Sequence, residues 1–268
     1  MGNKVYSLER ILAQSTAIRT YLLPEVRELV NTVTPDYDSV IHYNTNIINW
    51  LSPIIDLTGF SVYPTNGITE GLNWWYNQES RAVRMQAGEY QWITAKNSSN
   101  PDFINYQSIP SSIHGNFTKV ITDGPVALDL AYVGSTALTP IEINSNVEVV
   151  FYSLSKSFAV RNVRTGWIFT RTPDKKLDLL TYNAKYYNYY AHKVAETIIE
   201  NFKPDYVHSK LHQYQLELCN SLNLTASDSV WLATTNNSMY DKFKRGSINR
   251  VCIAQEISTA YSGSSKPY

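Results

Sequence analysis

Apolar positions along the chain fall into distinct patterns, and each predicts a different element. Leu8, Ile11, Leu12, Ile18, Leu22 and Leu23 recur at roughly helical spacing, predicting a helix over residues 4–31 that Pro24 interrupts and Glu25 restarts. A turn at Thr34-Pro35-Asp36-Tyr37-Asp38 precedes a second predicted helix from Ser39 to Leu51. Phe60 to Pro64 reads as extended, and the stretch from Gly71 to Trp75 as helical. Residues 81–150 change to short strand-like runs at Arg81–Met85, Tyr90–Thr94, Asp102–Tyr106 and Val126–Leu128, divided by turn clusters such as Ser98-Ser99-Asn100-Pro101. Val149-Val150-Phe151-Tyr152 is a buried-strand pattern, and Trp167-Ile168-Phe169 is a second, with a polar hinge between them. Helical spacing returns over 175–202 and 205–222, and the tail adds strand-like pieces at Val230–Ala233 and Arg250–Ala254. The alternation predicts an α/β core over residues 50–180, with a small domain assembled from both chain ends, 1–49 and 181–268.

Charge and composition narrow the function classes. The 268 residues can bury a substantial core, and Lys+Arg and Asp+Glu are balanced at 23 each. No polybasic field therefore points to nucleic acid or to an anionic membrane surface. No apolar run approaches a membrane span, and Met1 to Tyr6 lack a signal-peptide core, so a cytoplasmic chain is expected. Cys219 and Cys252 stand alone without a Cys-x-x-Cys and are expected to be reduced thiols. His208 and His212 lie one helical turn apart, but with no third ligand evident a solvated face is expected rather than a metal pair. The cluster Tyr186, Tyr187, Tyr189 and Tyr190 is expected to serve packing.

Four local signals carry chemistry. The hinge holds Ser153-Leu154-Ser155-Lys156, and a lysine set between two core strands is costly unless it has a partner or a task. Asp129-Leu130-Ala131-Tyr132 closes the apolar run Pro125 to Leu128, and an acid delivered by a buried strand meets a cation or a protonated heteroatom. Asn66-Gly67-Ile68-Thr69 is a glycine turn opening a helix, where backbone N–H groups favour a phosphate. Arg164, eight residues after Lys156, could clamp that phosphate with two hydrogen bonds. A cofactor with a phosphate, an aldehyde and a pyridine nitrogen uses all four, and pyridoxal 5′-phosphate is that cofactor. The Ser-x-x-Lys could also signal a penicillin-binding nucleophile. That reading requires a helix start and a Ser-Asp-Asn, and both are missing from the pattern.

Together these motifs resemble those of the fold-type I pyridoxal-phosphate enzymes, in the aspartate and histidinol-phosphate aminotransferase branch. The resemblance rests on Ser153, Ser155, Lys156, Arg164 and Gly166; on Asp129 and Tyr132; and on Gly67, Thr69 and Glu70, in order and at family spacing. It implies a mixed, mostly parallel sheet flanked by helices, with a small α+β domain. Lys156 would form the Schiff base and shuttle the proton, Asp129 would protonate the pyridine nitrogen, and Tyr132 would bond the phenolic oxygen. Gly67, Ile68, Thr69, Ser153, Ser155 and Arg164 would hold the cofactor, mainly at its phosphate. Tyr90 would stack on the ring, with Trp92 as a substitute, and Arg250 would pair with the substrate carboxylate. Tyr37, or Tyr43 in its place, would reach across a homodimer interface to the neighbouring phosphate.

The chain departs from that family in being reduced in length. Its Asn-Pro-x-Gly turn becomes Ser112-Ile113-His114-Gly115, without the asparagine that bonds the phenolic oxygen; Ser112 or Asn116 is the candidate replacement. The implied activity is amino-group transfer between an amino acid and a 2-oxo acid. A lyase, decarboxylase or racemase on the same scaffold is one alternative, and a non-catalytic relative is another.

Overall fold

A computed structural model describes residues 6–34, 40–90, 100–160 and 162–263. Tyr37, Trp92 and the side chain of Tyr43 lie outside the described residues. The β-branched and aromatic runs form a six-stranded sheet from β1 (Ser61–Thr65), β2 (Ala82–Met85), β3 (Phe103–Ser108), β4 (Val126–Asp129), β5 (Val147–Tyr152) and β6 (Gly166–Thr170). Their order is β1-β6-β5-β4-β3-β2. Strands β2 to β5 pair in parallel, and β6 is antiparallel to both β5 and β1, so β6 alone runs against the other five. Every residue of β4 is buried, and so are five of the six in β5, as expected for central strands covered on both faces.

Register decides where the chemistry emerges. Ser108 lies opposite Asp129, Asp129 opposite Phe151, Tyr152 opposite Trp167, and Gly166 opposite Thr65. The carboxyl ends of five strands and the beginning of β6 therefore share one edge, the edge at which open α/β sheets bind ligands.

Helices cover the sheet and its flanks. From the N-terminus they are α1 (Leu8–Ala13), α2 (Pro24–Val30), α3 (Val40–Leu51), α4 (Ile68–Gln78) and the single turn α5 (Leu154–Ser157). Then come α6 (Lys175–Asp178), which runs into a π-helical turn at Leu179–Asn183, α7 (Tyr189–Asn201), α8 (Tyr206–Leu222) and α9 (Ala254–Ser262). Helix α4 buries Ile68, Gly71 and Leu72, a helical i, i+3, i+4 face. A Cβ on Gly71 would stand 3.3 Å from the Phe151 ring, so the glycine lets α4 approach the sheet closely. Helices α2 and α3 pack on α7, and α8 packs on α9. A second, antiparallel sheet holds β7 (Thr225–Ala226), β8 (Leu232–Thr235), β9 (Lys244–Arg245) and β10 (Ile248–Cys252), ordered β7-β8-β10-β9.

Several elements depart from the sequence expectations. The helix expected over 4–31 stops at Ala13, and α2 begins at Pro24 itself, where a missing N–H costs nothing. Between them the chain is held by tertiary contacts: Thr20 Oγ1 donates to Ser155 O at 3.3 Å, and Cys252 Sγ donates to Arg19 O at 3.3 Å. The helix expected over 175–202 is broken at 184–188, where Asn188 caps α7 by accepting from Ala191 N–H at 3.0 Å. Both cysteines are buried free thiols. His208 and His212 stack at 4.5 Å, and no group of three potential metal ligands occurs among the described residues. No helix among these residues is long and apolar enough to cross a membrane.

His192 on α7 is buried against the Trp167 ring, and burial pushes its pKa down from 6.5 to about 4. A depressed folded-state pKa means the associated stability is present above 6.5 and is lost as the pH falls toward 4. The loss should reach about 3 kcal/mol across that window. Urea titrations between these pH values check it: His192→Leu should flatten the dependence.

Candidate active site

The strand-end edge encloses a cavity of about 420 Å³, in the range of ligand-binding clefts. Its floor comes from β4 and β5. Asp129, the last residue of β4, is 3 % exposed and lines the cavity. Two donors orient its carboxylate: Tyr106 Oη at 2.6 Å and Ala131 N–H at 2.7 Å. Burial lifts the Asp129 pKa above the usual aspartate range, while the nearby Lys156 charge and the two donors oppose that shift. Burial, followed by the Asp129 charge, drives the Tyr106 hydroxyl pKa upward, so that hydroxyl remains a donor.

Lys156 projects from α5, immediately after β5. The Lys156 turn is tied down from remote parts of the chain. Trp231 Nε1 donates to Lys156 O at 2.7 Å, and Thr20 donates to the preceding carbonyl. Lys156 Nζ lies 4.3 Å from the centre of the Tyr132 ring and 5.7 Å from that of Tyr90, and all three residues line the cavity. Ser153 and Ser155 line it as well, and Ser155 Oγ is buried without a hydrogen-bond partner among the described residues.

At one end, Gly67 ends the β1 loop with φ of +80°, a conformation suited to glycine, and α4 follows directly with Ile68 and Thr69 on the cavity wall. Arg164, entering β6, reaches over this turn and donates to Asn66 O at 3.0 Å. A Cβ on Gly67 would fall 2.8 Å from Arg164 Nη2, and one on Gly166 would fall 2.8 Å from Gly67 Cα. The two glycines therefore bring β1, β6 and the arginine together. Unpaired N–H groups of a first helical turn beside a guanidinium form an anion cradle.

At the other end, Arg250 sits mid-strand in β10 rather than opening it. It is 6 % exposed; its Nη1 donates to Ser112 O, while its Nε is buried without a partner among the described residues. Ser112 Oγ lines the cavity but donates to Glu89 Oε2 at 2.7 Å. Asn116 turns away and accepts from Asp228 N–H at 2.8 Å. Neither side chain therefore points a free donor where the missing asparagine would.

The structure thus brings Ile68, Thr69, Tyr90, Asp129, Tyr132, Ser153, Ser155, Lys156, Arg164 and Arg250 to a common cavity, with Gly67 directly beneath Arg164. Sequence reading passed over four contributors. Tyr106 orients Asp129, and Glu89 is buried behind Ser108 and Ser112, accepting from both hydroxyls. Arg245 faces the cavity from β9, and the bend at Thr16-Ala17-Ile18 closes one side. Alternation along β3 was the one available signal, since Tyr106 and Ser108 share a face; the other contributors carry no local mark.

No protein-family model matches the sequence. No curated protein sequence matches it significantly either. The fold, however, resembles solved structures over nearly their whole length. A PLP-bound C-S lyase from Staphylococcus hominis superposes with a TM-score of 0.65 at 11 % identity, covering 97 % of this chain and 92 % of that one. For an aminotransferase from Mycobacterium tuberculosis the TM-score is 0.64 at 14 % identity, covering 94 % and 92 %. Histidinol-phosphate aminotransferase from Sinorhizobium meliloti, in complex with pyridoxal-5′-phosphate, gives 0.63 at 12 % identity, covering 96 % and 93 %.

Proposed function

We propose that this chain, whose fold is that of the fold-type I pyridoxal-phosphate enzymes, is an aminotransferase moving an amino group between an amino acid and a 2-oxo acid. One observation carries the reading: the Lys156 amine and the buried Asp129 carboxylate share a cavity that has an arginine cradle at one end and Arg250 at the other. Pyridoxal 5′-phosphate, when bound, supplies a carbonyl carbon for the amine and an aromatic ring that accepts the electron pair of a broken bond.

The residues present fit such a group. Ser155 Oγ is a buried orphan beside Lys156, and phosphate oxygens are strong acceptors for it, for the N–H groups after Gly67 and for Arg164. Ser153 would complete that set. Lys156 would hold the cofactor covalently and then, as a free amine, move a proton to and from the substrate's Cα at Nζ. Asp129, held ready by Tyr106 and Ala131, would keep a proton on the ring nitrogen by charge attraction. Tyr132 would donate to the phenolic oxygen, a role that matters more here because the Ser112 hydroxyl donates its hydrogen bond to Glu89. Tyr90 would cover a ring face. Arg250 would take the substrate α-carboxylate, which satisfies its unpartnered Nε. A homodimer with shared sites, Tyr37 among them, completes the proposal, as does a cytoplasmic location.

A C-S lyase uses the same machinery, and one structural neighbour carries that activity in its name. A panel of amino acids given to the pyridoxal-phosphate-loaded protein separates the two. Transamination yields a 2-oxo acid and leaves the amino group on the cofactor until a second 2-oxo acid removes it. Ammonia release with a spontaneously restored spectrum would overturn the aminotransferase reading in favour of a lyase.

A further inference from the structure

A second buried acid stands directly behind the cavity. Glu89, one residue before the Tyr90 that lines it, is 6 % exposed. It follows a tight turn: Gly88 has φ of +94°, and a Cβ there would stand 2.8 Å from Gly246 N in the β9–β10 hairpin. Four donors converge on the carboxylate. Ser108 Oγ lies 2.7 Å from Oε1 and Ser112 Oγ 2.7 Å from Oε2, with Tyr90 N–H at 3.2 Å and Ser108 N–H at 3.4 Å. No lysine or arginine forms an ion pair with Glu89 among the described residues.

A buried carboxylate without a paired cation is costly, and the neighbouring turn is braced without it. Ser111 N–H donates to Asn116 O at 2.9 Å, Gly115 N–H to Ser111 O at 2.7 Å, and Ser227 Oγ to His114 O at 2.6 Å. What Glu89 fixes is the direction of two hydroxyls. Ser108 and Ser112 both line the cavity, yet both donate to Glu89 rather than into it. The cavity is otherwise rich in positive charge. Lys156, Arg164, Arg245 and Arg250 line it, with Tyr90, Tyr132 and a single carboxylate, Asp129, among the described residues. Such a field disfavours a proton on a nitrogen held there, and a further anion offsets it. Burial dominates the pKa shifts of Tyr106, His114, Asp129 and Arg245, and the Glu89 charge acts on all four in the proton-retaining direction.

We infer that Glu89 is a positioning residue of this site: it turns the Ser112 hydroxyl out of the cavity and adds a negative charge behind it, so that a nitrogen held at Lys156 keeps its proton. This rests on the proposed function for the identity of that nitrogen, the Lys156 nitrogen joined to pyridoxal phosphate. The two effects act in one direction. A hydroxyl donating to the cofactor's phenolic oxygen competes with the nitrogen's own proton for that oxygen, so withdrawing the hydroxyl favours the proton. The carboxylate charge favours it as well, against the surrounding arginines.

The test is a pH titration of the cofactor's absorption band in the loaded full chain, with carboxyl 13C NMR of Asp129 in the cofactor-free chain as a second arm. In Glu89→Gln the band midpoint should fall by about one pH unit, the scale of removing one nearby charge. Glu89→Asp, which keeps the charge, should recover most of that fall. Ser112→Ala alone should leave the midpoint nearly unmoved, because its hydroxyl is already engaged with Glu89. Added to Glu89→Gln, the same change should bring the midpoint part of the way back, since it removes the hydroxyl that the amide releases. In the cofactor-free chain Asp129 should titrate at lower pH in Glu89→Gln than in wild type. A band midpoint that stays or rises in Glu89→Gln overturns the inference. So does a clear rise in Ser112→Ala alone, an arm that stands even if Glu89→Gln does not fold. The two readings fail separately: a protein that takes up no pyridoxal phosphate defeats the aminotransferase, and the Asp129 titration then decides on Glu89, an unmoved midpoint ending the assignment.

Discussion

Lys156→Ala is expected to fold normally, to lack the yellow colour that pyridoxal phosphate should impart to the wild-type protein, and to lose turnover by about 10⁴-fold or more. On the proposed roles, two contributions disappear together, covalent attachment and the proton transfer at Nζ, and the latter alone is worth about 10²–10⁴. The fold should survive because the Lys156 contacts that brace the turn are made by its carbonyl, which accepts from Trp231. The side chain contributes its approach to the Tyr132 ring, a contact worth about 1 kcal/mol, and a charge near Asp129, which can take up a proton when that charge is removed. Borohydride reduction followed by peptide mass analysis provides the direct check. The wild-type peptide containing residue 156 should retain the cofactor, and the variant peptide should not. Wild-type protein that stays colourless with added pyridoxal phosphate would end the enzymatic reading.

Asp129→Asn is expected to separate function from stability. Turnover should fall by about 10²–10³, the usual cost of removing one preorganised charge from a reacting site. Stability should move the other way. Burial raises the Asp129 pKa, so the native state binds this proton more readily than the unfolded chain does. Stability therefore declines as pH rises from 3.8 through the raised value, and at neutral pH the ionised carboxylate is a burden on the cofactor-free fold. The neutral amide removes that burden: its oxygen accepts from Ala131 N–H, and its NH2 donates to the Tyr106 hydroxyl oxygen. Urea unfolding of the cofactor-free protein at neutral pH should show the variant at least as stable as wild type. A destabilised variant would mean that Asp129 serves chiefly as a structural counter-charge to Lys156.

Much of the site could be read locally because its groups stand at the ends of strands. Asp129 and Lys156 each follow an apolar run, and a buried strand needs such a run whatever its neighbours are. Gly67 was legible as a turn residue and Gly166 as part of a motif with Arg164, but the two were not legible as partners. Their backbones meet because β1 and β6 pair in the register that sets Thr65 opposite Gly166. Arg250 was visible as a strand arginine, whereas its buried state follows from the second sheet closing over Ser112. The N-terminal stretch misled the helical reading for a related reason. Its apolar spacing is genuine, but Thr20 and Arg19 exchange helix hydrogen bonds for contacts with the Lys156 turn and Cys252.

By itself the sequence determined the core strands, the strand-end placement of Lys156 and Asp129, and the glycine turn before α4, because each follows from spacing within a few residues. Tertiary structure alone decided that Tyr106 orients Asp129, that Glu89 accepts the hydrogen bond of Ser112, that Thr16 to Ile18 wall the cavity and that Arg245 stands beside Arg250. Those contacts join segments whose meeting depends on strand register and on loops closing over the sheet edge. Such closure is set by the packing of the whole core, and no short window of residues encodes it.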